Sequence, residues 1–565
     1  MTDLPTTPRS VIPRYYLFLA AIIFCVFSPV LRADFLNWDD TIHVSENKAV
    51  LNFDSRAIFT QTVNDTYIPL TTLSFALEKS VWGLKPFVFH FDNILLHVIV
   101  AWLLLGFFLK LGVSSRAAFC GVLFFALHPM RVESVGWVTE RKDMLYALFY
   151  VLALRQWLAY LDLKKPGDYA LTLLWGLLSL LSKPMAVSLP LVMIFMEWWR
   201  QNRPVRWLAY GPFFVMTLAV GALTYSHQVR VFEGGAGLNI FVWVWTLGFY
   251  IWKSFWPFWL CPIYGLPPPK IAGFVYGASV FFVGLVLWGV KRFAARDRWL
   301  LWAAGFLFLS IFFLLRFDSF DRNVVADRFL YLPATGICLW LGVKADQALT
   351  LYRRKALAVV IIIFGILAVG TFRYASVWKD SGTFWSAVIT AYSSPKENPH
   401  KSLAKYDQPD LTGSSVLVLA LYNRGIYYKE QATEKLKQNF VSEADRYYHQ
   451  AVADFDRAIS LEPQFAVLYN SRALARHYLQ DEKGAREDFT RAIEISPVFQ
   501  EAFINRCSFY GSMGELGLAM ADCQQAIKLG AETAALYHNL GMIYTQDGLL
   551  DLASKNFEKA RALDQ

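Results

Sequence analysis

Long apolar stretches separated by short polar loops fill the first two thirds of the chain. Runs with the composition of transmembrane helices lie at residues 15–33, 92–111, 116–128, 143–161, 168–181, 184–199, 206–226, 239–260, 272–291, 299–316, 329–345 and 356–374. Several are shorter than the roughly 20 residues that span a bilayer, so we expect their helices to extend into the flanking loops. The pattern predicts an all-α chain that begins with a polytopic membrane helical bundle.

The last part of the chain follows a different rule, in which small and aromatic residues recur every 34 positions. Three columns show this period: Ala451, Ala485, Ala519 and Ala553; Ala458, Ala492, Ala526 and Ala560; and Phe455, Phe489, Cys523 and Phe557. The period is typical of tetratricopeptide repeats, which stack helix pairs into a solenoid with a concave face. We therefore predict about four repeats over residues 416–565, the first with about 14 extra residues.

These two patterns predict a membrane domain over residues 1–377, a linker over residues 378–415, and a repeat domain over residues 416–565. Turn-forming pairs such as Ser394-Pro395 and Asn398-Pro399 mark the linker.

Composition and charge agree with this division. Hydrophobic residues make up 56% of the chain and charged residues 18%, which excludes a wholly soluble or disordered protein. Residues 401–565 carry 18 basic and 22 acidic residues, so the net charge of +9 comes from the membrane half. Basic residues concentrate in alternate loops, which the positive-inside rule assigns to the cytoplasm. This topology gives about 11 crossings, with the segment 239–260 interfacial or re-entrant.

No compact basic run with interleaved aromatic residues is present in the sequence, so we expect no nucleic-acid partner. The six cysteines lack CxxC spacing and predict no metal site. For Cys507 and Cys523 we favour simple helix packing, with a disulfide as the alternative if their domain is extracytoplasmic.

Chemistry is expected in the outer loops, which mix carboxylate and cationic side chains. Asp39 and Asp40 follow the first apolar segment, where one carboxylate could accept a proton and the other could bind a divalent metal or orient a substrate. The alternative is a solvated pair that caps a helix.

Cationic groups in the later outer loops suit a lipid phosphate. His128, Arg131, Arg141 and Lys142 lie in the second loop, whereas Lys183 lies in a tight turn. The alternatives are pairing with lipid headgroups for the loop and snorkelling for Lys183. Asp327 and Arg328, with Tyr331 close by, either contribute to the site or are structural.

Four ordered motifs carry a family resemblance: NWDD at 37–40, HPMRVESVGWVTERKDML at 128–145, SKPMAVSLP at 182–190 and ADRFLYLPATG at 326–336. Followed by tetratricopeptide repeats, they resemble the transmembrane and tetratricopeptide-repeat O-mannosyltransferase family, whose members are type C glycosyltransferases. The resemblance implies inverting transfer of mannose or another hexose from a polyprenyl-phosphate carrier to a protein hydroxyl.

The resemblance also implies roles for individual residues. Asp39 becomes the favoured base, with Asp40 assisting, and no metal is required. The donor phosphate and sugar are assigned to His128, Glu133, Arg141, Asp143, Lys183, Arg328 and Tyr331. We expect a bacterial member in the inner membrane, with the site and repeats on the periplasmic side and in contact with membrane lipids.

The repeats are expected to hold an acceptor polypeptide or a partner in their concave groove. Candidate groove residues, chosen from the first helix of each repeat, are Tyr469, Asn470, Asn505, Arg506 and Asn539. Two other functions remain open at this point: a non-enzymatic envelope scaffold and a lipid-linked glycan polymerase or ligase.

Overall fold

The computed structural model describes residues 12–201, 207–227, 240–267, 269–315, 324–393 and 415–564. Within these ranges the chain is helical, and strand pairing is limited to an isolated bridge between Val63 and Thr66. The predicted all-α fold is therefore confirmed. The chain divides into two compact units, Met1–Phe384 and Trp385–Gln565.

The first unit contains fifteen of the described helices and the start of a sixteenth. They are α1 Ile12–Val26, α2 Lys48–Leu51, α3 Ser55–Thr60, α4 Pro69–Trp82, α5 Pro86–Lys110, α6 Ser115–Ala126, α7 Val132–Gly136, α8 Arg141–Leu163, α9 Pro166–Ser182, α10 Leu189–Gln201, α11 Gly211–His227, α12 Ile240–Phe255, α13 Pro269–Phe293, α14 Arg298–Ile311, α15 Thr335–Ala375 and α16 Ser381–Tyr392.

Five helical segments in the described ranges are long and apolar enough to cross a membrane, which indicates a multi-pass membrane protein. They are Pro86–Lys110, Val138–Leu163, Trp207–Thr224, Ile271–Phe293 and Thr335–Trp378. A bent pair, Ser115–Ala126 with Pro129–Gly136, adds a sixth if it counts as one span. Two other predicted spans coincide with shorter apolar helices, Pro13–Val26 and Arg298–Leu314, and the segment predicted to be interfacial or re-entrant coincides with a third, Ile240–Phe255. The count of 11 crossings stays a prediction.

Helix α15 contains both of the last two predicted spans. It is interrupted at Arg353, where φ is 38° and the backbone is not helical. The break falls in the predicted basic loop between these spans, Arg353–Lys355. A continuous helix of 41 residues would be about 60 Å long, twice the roughly 30 Å of a hydrocarbon core, so an interruption is expected on length alone.

Helices α6 and α15 cross with their backbones in close contact. A Cβ atom on Gly342 would lie 2.3 Å from the carbonyl oxygen of Ala117, and one on Gly121 would lie 3.1 Å from that of Cys338. Only glycine fits at such a crossing. Because α6 leads into the second outer loop and α15 follows the turn that carries Arg328, this crossing fixes two parts of the candidate site together.

The first outer loop, predicted over residues 34–91, is folded rather than extended. It contains α2, α3 and α4 and one turn of π-helix over Thr41–Ser45. Asn47 and Asp54 begin α2 and α3 by accepting hydrogen bonds from backbone N–H groups of the first turn.

Several predictions concern residues outside the described ranges. These are the outer loop at 228–238, residues 317–323 with Asp321 and Arg322, and the linker residues 394–414. Residues 381–392, which the sequence assigned to the linker, form helix α16 instead, because their apolar side chains Phe384, Trp385 and Val388 are buried.

The second unit contains four helix pairs, as the 34-residue period predicts. They are α17 Val416–Lys437 with α18 Val441–Leu461, α19 Ala466–Tyr478 with α20 Glu482–Ile495, α21 Gln500–Ser512 with α22 Leu516–Lys528, and α23 Ala534–Gln546 with α24 Leu550–Asp564. The first pair absorbs the extra residues as helix length, with 22 and 21 residues against 13 to 15 in the others.

In the first and fourth repeats a glycine of the first helix packs against a phenylalanine of the second. A Cβ on Gly425 would meet the Phe455 ring at 2.6 Å, and one on Gly541 would meet Phe557 at 2.6 Å. In the third repeat the pair is Cys507 and Cys523, which form a disulfide. Our preference for simple packing of these cysteines was wrong, because α21 and α22 approach closely enough here for a covalent bond, with the two Cα atoms 5.5 Å apart.

An arginine–aspartate pair joins the two helices in each of the first three repeats. Arg424 pairs with Asp454, Arg472 with Asp488 and Arg506 with Asp522, with all three shortest distances between 2.6 and 2.7 Å. The aspartates are nearly buried, so each needs its partner. The fourth repeat has Leu540 and Asn556 at the corresponding positions.

We expect the disulfide to stabilise the second unit. We also expect that the alanine and phenylalanine found at the same two positions of the second repeat can replace it. Closing a loop of 16 residues is worth about 3 kcal/mol. C507S/C523S should lower the free energy of unfolding by about that amount, whereas C507A/C523F, which copies Ala473 and Phe489, should recover much of it. Denaturant unfolding of the full chain would measure both.

The control is thiol labelling of denatured, unreduced protein. Only Cys25, Cys120, Cys261 and Cys338 should react, and labelling of Cys507 or Cys523 before reduction would contradict the disulfide.

Candidate functional site

Asp40 is the structural member of the predicted carboxylate pair. It is almost fully buried, and its two oxygens accept hydrogen bonds from the backbone N–H groups of Leu36 and Thr139, both at 2.9 Å. Burial raises the pKa of Asp40 to about 6, although these hydrogen bonds lower it. Asp40 thus joins the first outer loop to the second.

Asp39, by contrast, is only partly buried and lies close enough to Lys142, Arg328 and Glu140 to interact with their charges. Burial raises the pKa of Asp39, the nearby Lys142 and Arg328 lower it, and Glu140 raises it, with a net increase. A carboxylate with a raised pKa beside two cations is suited to accepting a proton.

Three cations from three separate segments meet at one buried carboxylate beside Asp39. Glu140 Oε1 lies 3.1 Å from Lys142 Nζ and 3.4 Å from Arg328 Nε, and its Oε2 lies 3.0 Å from Lys183 Nζ. Two further carboxylates complete the group: Glu133 binds Arg328, and Asp143 Oδ1 lies 2.6 Å from Lys183 Nζ. We call this group the Glu140 cluster; its members are Glu133, Glu140, Lys142, Asp143, Lys183 and Arg328.

Helix geometry separates the charged residues at the start of α8. Glu140 and Asp143 are three positions apart, so both face the Lys183 turn. Arg141 points elsewhere and binds Glu78, while its Nε donates to Asn93 Oδ1 at 2.9 Å. Arg141, predicted to hold the donor, therefore lies outside the cluster in a buried ion pair that anchors α4.

The turn that carries Arg328, Asp327–Leu330, is fastened to the second outer loop by two hydrogen bonds. Arg131 Nη1 donates to the carbonyl of Leu330 at 2.6 Å, and the backbone N–H of Arg328 donates to Glu133 Oε2 at 2.9 Å. The two segments thus pair in antiparallel order. Burial alone would lower the pKa of Arg328, but Glu133, Glu140 and Asp39 raise it, so the guanidinium stays charged.

Two other predicted donor residues support this arrangement from outside the cluster. Tyr331 is buried, and its hydroxyl forms a hydrogen bond of 2.7 Å with His97 Nδ1. His128 begins the short helical turn Pro129–Arg131 by accepting a hydrogen bond from the backbone N–H of Met130 at 3.4 Å. The first contact joins α5 to the turn before α15, and the second fixes the backbone at the start of the second outer loop.

Sequence reasoning missed the centre of the cluster, Glu140; it named Lys142 among the cations suited to a lipid phosphate, but the family resemblance gave Lys142 no role. The spacing of Glu140 and Asp143 on one helix face was the available signal. It also missed His43, which is buried in the π-helical turn after Asp40. Burial and the charge of Lys142 lower the pKa of His43 to about 3, so this imidazole is neutral.

Both oxygens of Asp40 accept backbone N–H hydrogen bonds, and binding of a divalent metal by the carboxylate pair stays a prediction. Across the described ranges, no group of three or more His, Cys, Asp or Glu side chains has the geometry to hold a metal ion.

The five predicted groove residues make contacts within the repeat array. Asn505 Nδ2 donates to Asn470 Oδ1 at 3.1 Å, Asn539 Nδ2 donates to the carbonyl of Ile504 at 3.2 Å, and Tyr469 donates to that of Pro463 at 3.2 Å. Arg506 is bound to Asp522. Partner binding by these residues stays a prediction.

Comparison with known proteins identifies relatives of both halves. A tetratricopeptide-repeat family model matches residues 534–565. Protein O-mannosyl-transferase TMTC4 of Homo sapiens is 24% identical over 447 residues, covering 65% of this chain and 60% of the relative. The Mus musculus TMTC4 is 25% identical over 470 residues, covering 66% and 61%. Mouse TMTC1 is 34% identical over 112 residues, covering 20% of this chain and 12% of the relative.

Among solved structures, the crystal structure of MamA matches with a TM-score of 0.23 and 20% identity, covering 32% of this chain and 89% of MamA. The chain spans about 60% of the length of the TMTC4 relatives. The loop motifs, the repeats and these relatives together confirm the predicted resemblance to the transmembrane and tetratricopeptide-repeat O-mannosyltransferase family.

Proposed function

We propose that this protein transfers a hexose, mannose or another, from a polyprenyl-phosphate carrier to a protein hydroxyl on the extracytoplasmic side of a membrane. The observation that carries the proposal is the partly buried Asp39 beside Lys142 and Arg328. The names of the relatives, which are protein O-mannosyl-transferases, support a glycosyl transfer to protein.

In the proposed reaction Asp39 is the base. The acceptor oxygen forms a bond to the anomeric carbon while its proton passes to the Asp39 carboxylate. The bond from the anomeric carbon to the phosphate oxygen breaks, and the electron pair leaves with the polyprenyl phosphate. Attack from the side opposite the leaving group inverts the anomeric centre. Asp40 assists by fixing the backbone of Asp39 through its hydrogen bonds to Leu36 and Thr139.

Arg328 and Lys142 are the cations best placed to stabilise the leaving phosphate. Their side chains are 13% and 12% exposed, against 8% for Lys183. Lys183 is held by Glu140 and Asp143, so its part is to fix those carboxylates. A cation that is preorganised near a developing charge stabilises the transition state without the cost of rearrangement.

The second unit is proposed to bind the acceptor polypeptide or a partner and to lie on the same, extracytoplasmic side, which in a bacterial cell is the periplasm. The Cys507–Cys523 disulfide supports this side, because disulfides persist in oxidising compartments and are rare in the cytosol.

Asp39→Asn should abolish transfer while leaving the fold intact. Loss of a general base costs about 10²- to 10⁴-fold in rate, whereas Asp39 makes fewer structural contacts than Asp40. Asp40→Asn is the matched variant and should lower thermal stability, since it weakens the link between the two outer loops. Transfer of labelled sugar from a panel of polyprenyl-phosphate hexoses by purified protein in nanodiscs would measure both. Full activity in Asp39→Asn would exclude this mechanism.

The acid limb of the pH–rate profile should lie above the ordinary aspartate pKa of 3.8, because burial raises the pKa of Asp39. Lys142 lowers that pKa, so Lys142→Gln should move the limb of kcat/KM to still higher pH. Lys48→Gln, an exposed change in the first outer loop, which also carries Asp39, should leave the limb in place. A limb that does not move in Lys142→Gln would argue against Asp39 as the titrating base.

Arg328→Ala should raise the donor KM by about 10- to 100-fold, as expected for loss of a charge-assisted hydrogen bond. It should also lower stability, because Glu133 is left buried without its cation. Arg141→Met is the contrasting variant: it should lower stability with little effect on donor KM. An unchanged donor KM in Arg328→Ala would rule out the phosphate role.

A further inference from the structure

The folded first outer loop contains a cavity that the proposed chemistry does not use. Its volume is about 180 Å³, and it lies among the π-helical turn, α2, α3, the turn at 61–64 and α4. Its polar lining comes from Asn47, Gln61, Thr62, Asn64 and Thr72, and Ile42 contributes to its apolar wall. The residues that line it in the described chain carry no formal charge.

The chemistry of this lining selects a small, neutral ligand with hydrogen-bonding groups. Asparagine and glutamine amides both donate and accept hydrogen bonds, as a peptide group does, and threonine hydroxyls complement a second hydroxyl. Ile42, Ile58 and Val63 provide apolar surface for aliphatic atoms. A lipid-linked sugar phosphate requires cations and more room, since pockets for larger organic ligands are typically about 300–1,000 Å³.

Two residues of the cavity wall lie close in sequence to residues that contact the candidate site. Ile42 follows Asp39 by three residues, and the intervening Asp40 is held by Leu36 and Thr139. On the opposite wall, Thr72 follows Thr71, whose hydroxyl donates to the carbonyl of Ser182 at 3.0 Å, next to Lys183. Two positions of the wall are thereby tied to the segments that carry Asp39 and Lys183.

The cavity's rim is a tight turn whose backbone favours asparagine. Asn64 and Asp65 have φ of 47° and 57°, in the left-handed region that asparagine and aspartate tolerate better than most residues, and the bridge between Val63 and Thr66 closes the turn. The Asn64 side chain is therefore presented at the cavity by a defined backbone conformation.

We propose that this cavity binds the acceptor polypeptide, holding one or two neutral residues of the segment that bears the serine or threonine hydroxyl. The inference rests on the proposed function, because it assigns the acceptor side of that reaction. It makes the first outer loop, rather than the repeat groove alone, a determinant of which hydroxyl is modified.

Ala57→Phe tests the proposal by filling the cavity, since Ala57 lines it. The matched control is Ser55→Phe on the same helix, which is exposed and outside the lining. With full-length protein in nanodiscs, Ala57→Phe should raise the acceptor KM at least about 10-fold and leave the donor KM unchanged, whereas Ser55→Phe should change neither. Asn64→Gly, which keeps the turn but removes the amide, should raise the acceptor KM to a smaller extent.

A binding measurement separates this inference from the proposed function. A neutral serine- and threonine-containing hexapeptide, its alanine counterpart and methyl mannoside are titrated against wild type and both phenylalanine variants by ligand-observed NMR. Binding of the hydroxyl peptide that is lost only in Ala57→Phe supports the cavity even if no donor gives transfer. The proposal would be overturned by equal peptide binding in Ala57→Phe and Ser55→Phe, or by an unchanged acceptor KM in Ala57→Phe. It would also be overturned if Ala57→Phe lost binding of methyl mannoside and kept binding of the peptide.

Discussion

An ionised group that is buried beside a membrane needs a partner of opposite charge. In this protein Glu140 is the shared partner of three cations. A single carboxylate collects Lys142, Lys183 and Arg328, which belong to three segments far apart in the sequence. Removing water from one of these ions without its partner would cost several kcal/mol. The positions of the three cations are therefore coupled. Each outer segment must lie where its cation reaches the Glu140 carboxylate. The geometry of the site thus depends on charge compensation as well as on packing.

Contacts with the backbone connect the segments that carry these charges to the rest of the fold. Arg131 and Glu133 fasten the turn that carries Arg328, and the Gly342 crossing places α15 directly against α6. Asp40 performs the same task for the first outer loop. Arg131, Glu133 and Asp40 are buried side chains that each form a hydrogen bond with a backbone atom of a different segment, so these bonds connect the outer loops to one another.

Sequence patterns predicted the architecture better than the roles of individual residues. Periodicity alone predicted the all-α fold and the four helix pairs, because hydrophobic burial repeats along a helix. It predicted less of the site, since Arg141 and Lys142 are neighbours that point to different partners, Glu78 and Glu140. Residues that are adjacent in a motif can therefore have separate roles, because their side chains leave the helix in different directions. The same limit applied to Asp39 and Asp40, and to Cys507 and Cys523, whose pairing depends on the distance between two helices.

The third repeat shows how a repeat can replace a packing contact with a covalent bond. In the first and fourth repeats the second helix carries phenylalanine, and a Cβ on the facing glycine would lie 2.6 Å from the ring. At position 523 the ring is absent, so the facing position has room for a side chain larger than glycine or alanine. Cys507 occupies that space, and its bond to Cys523 joins the two helices of this repeat directly.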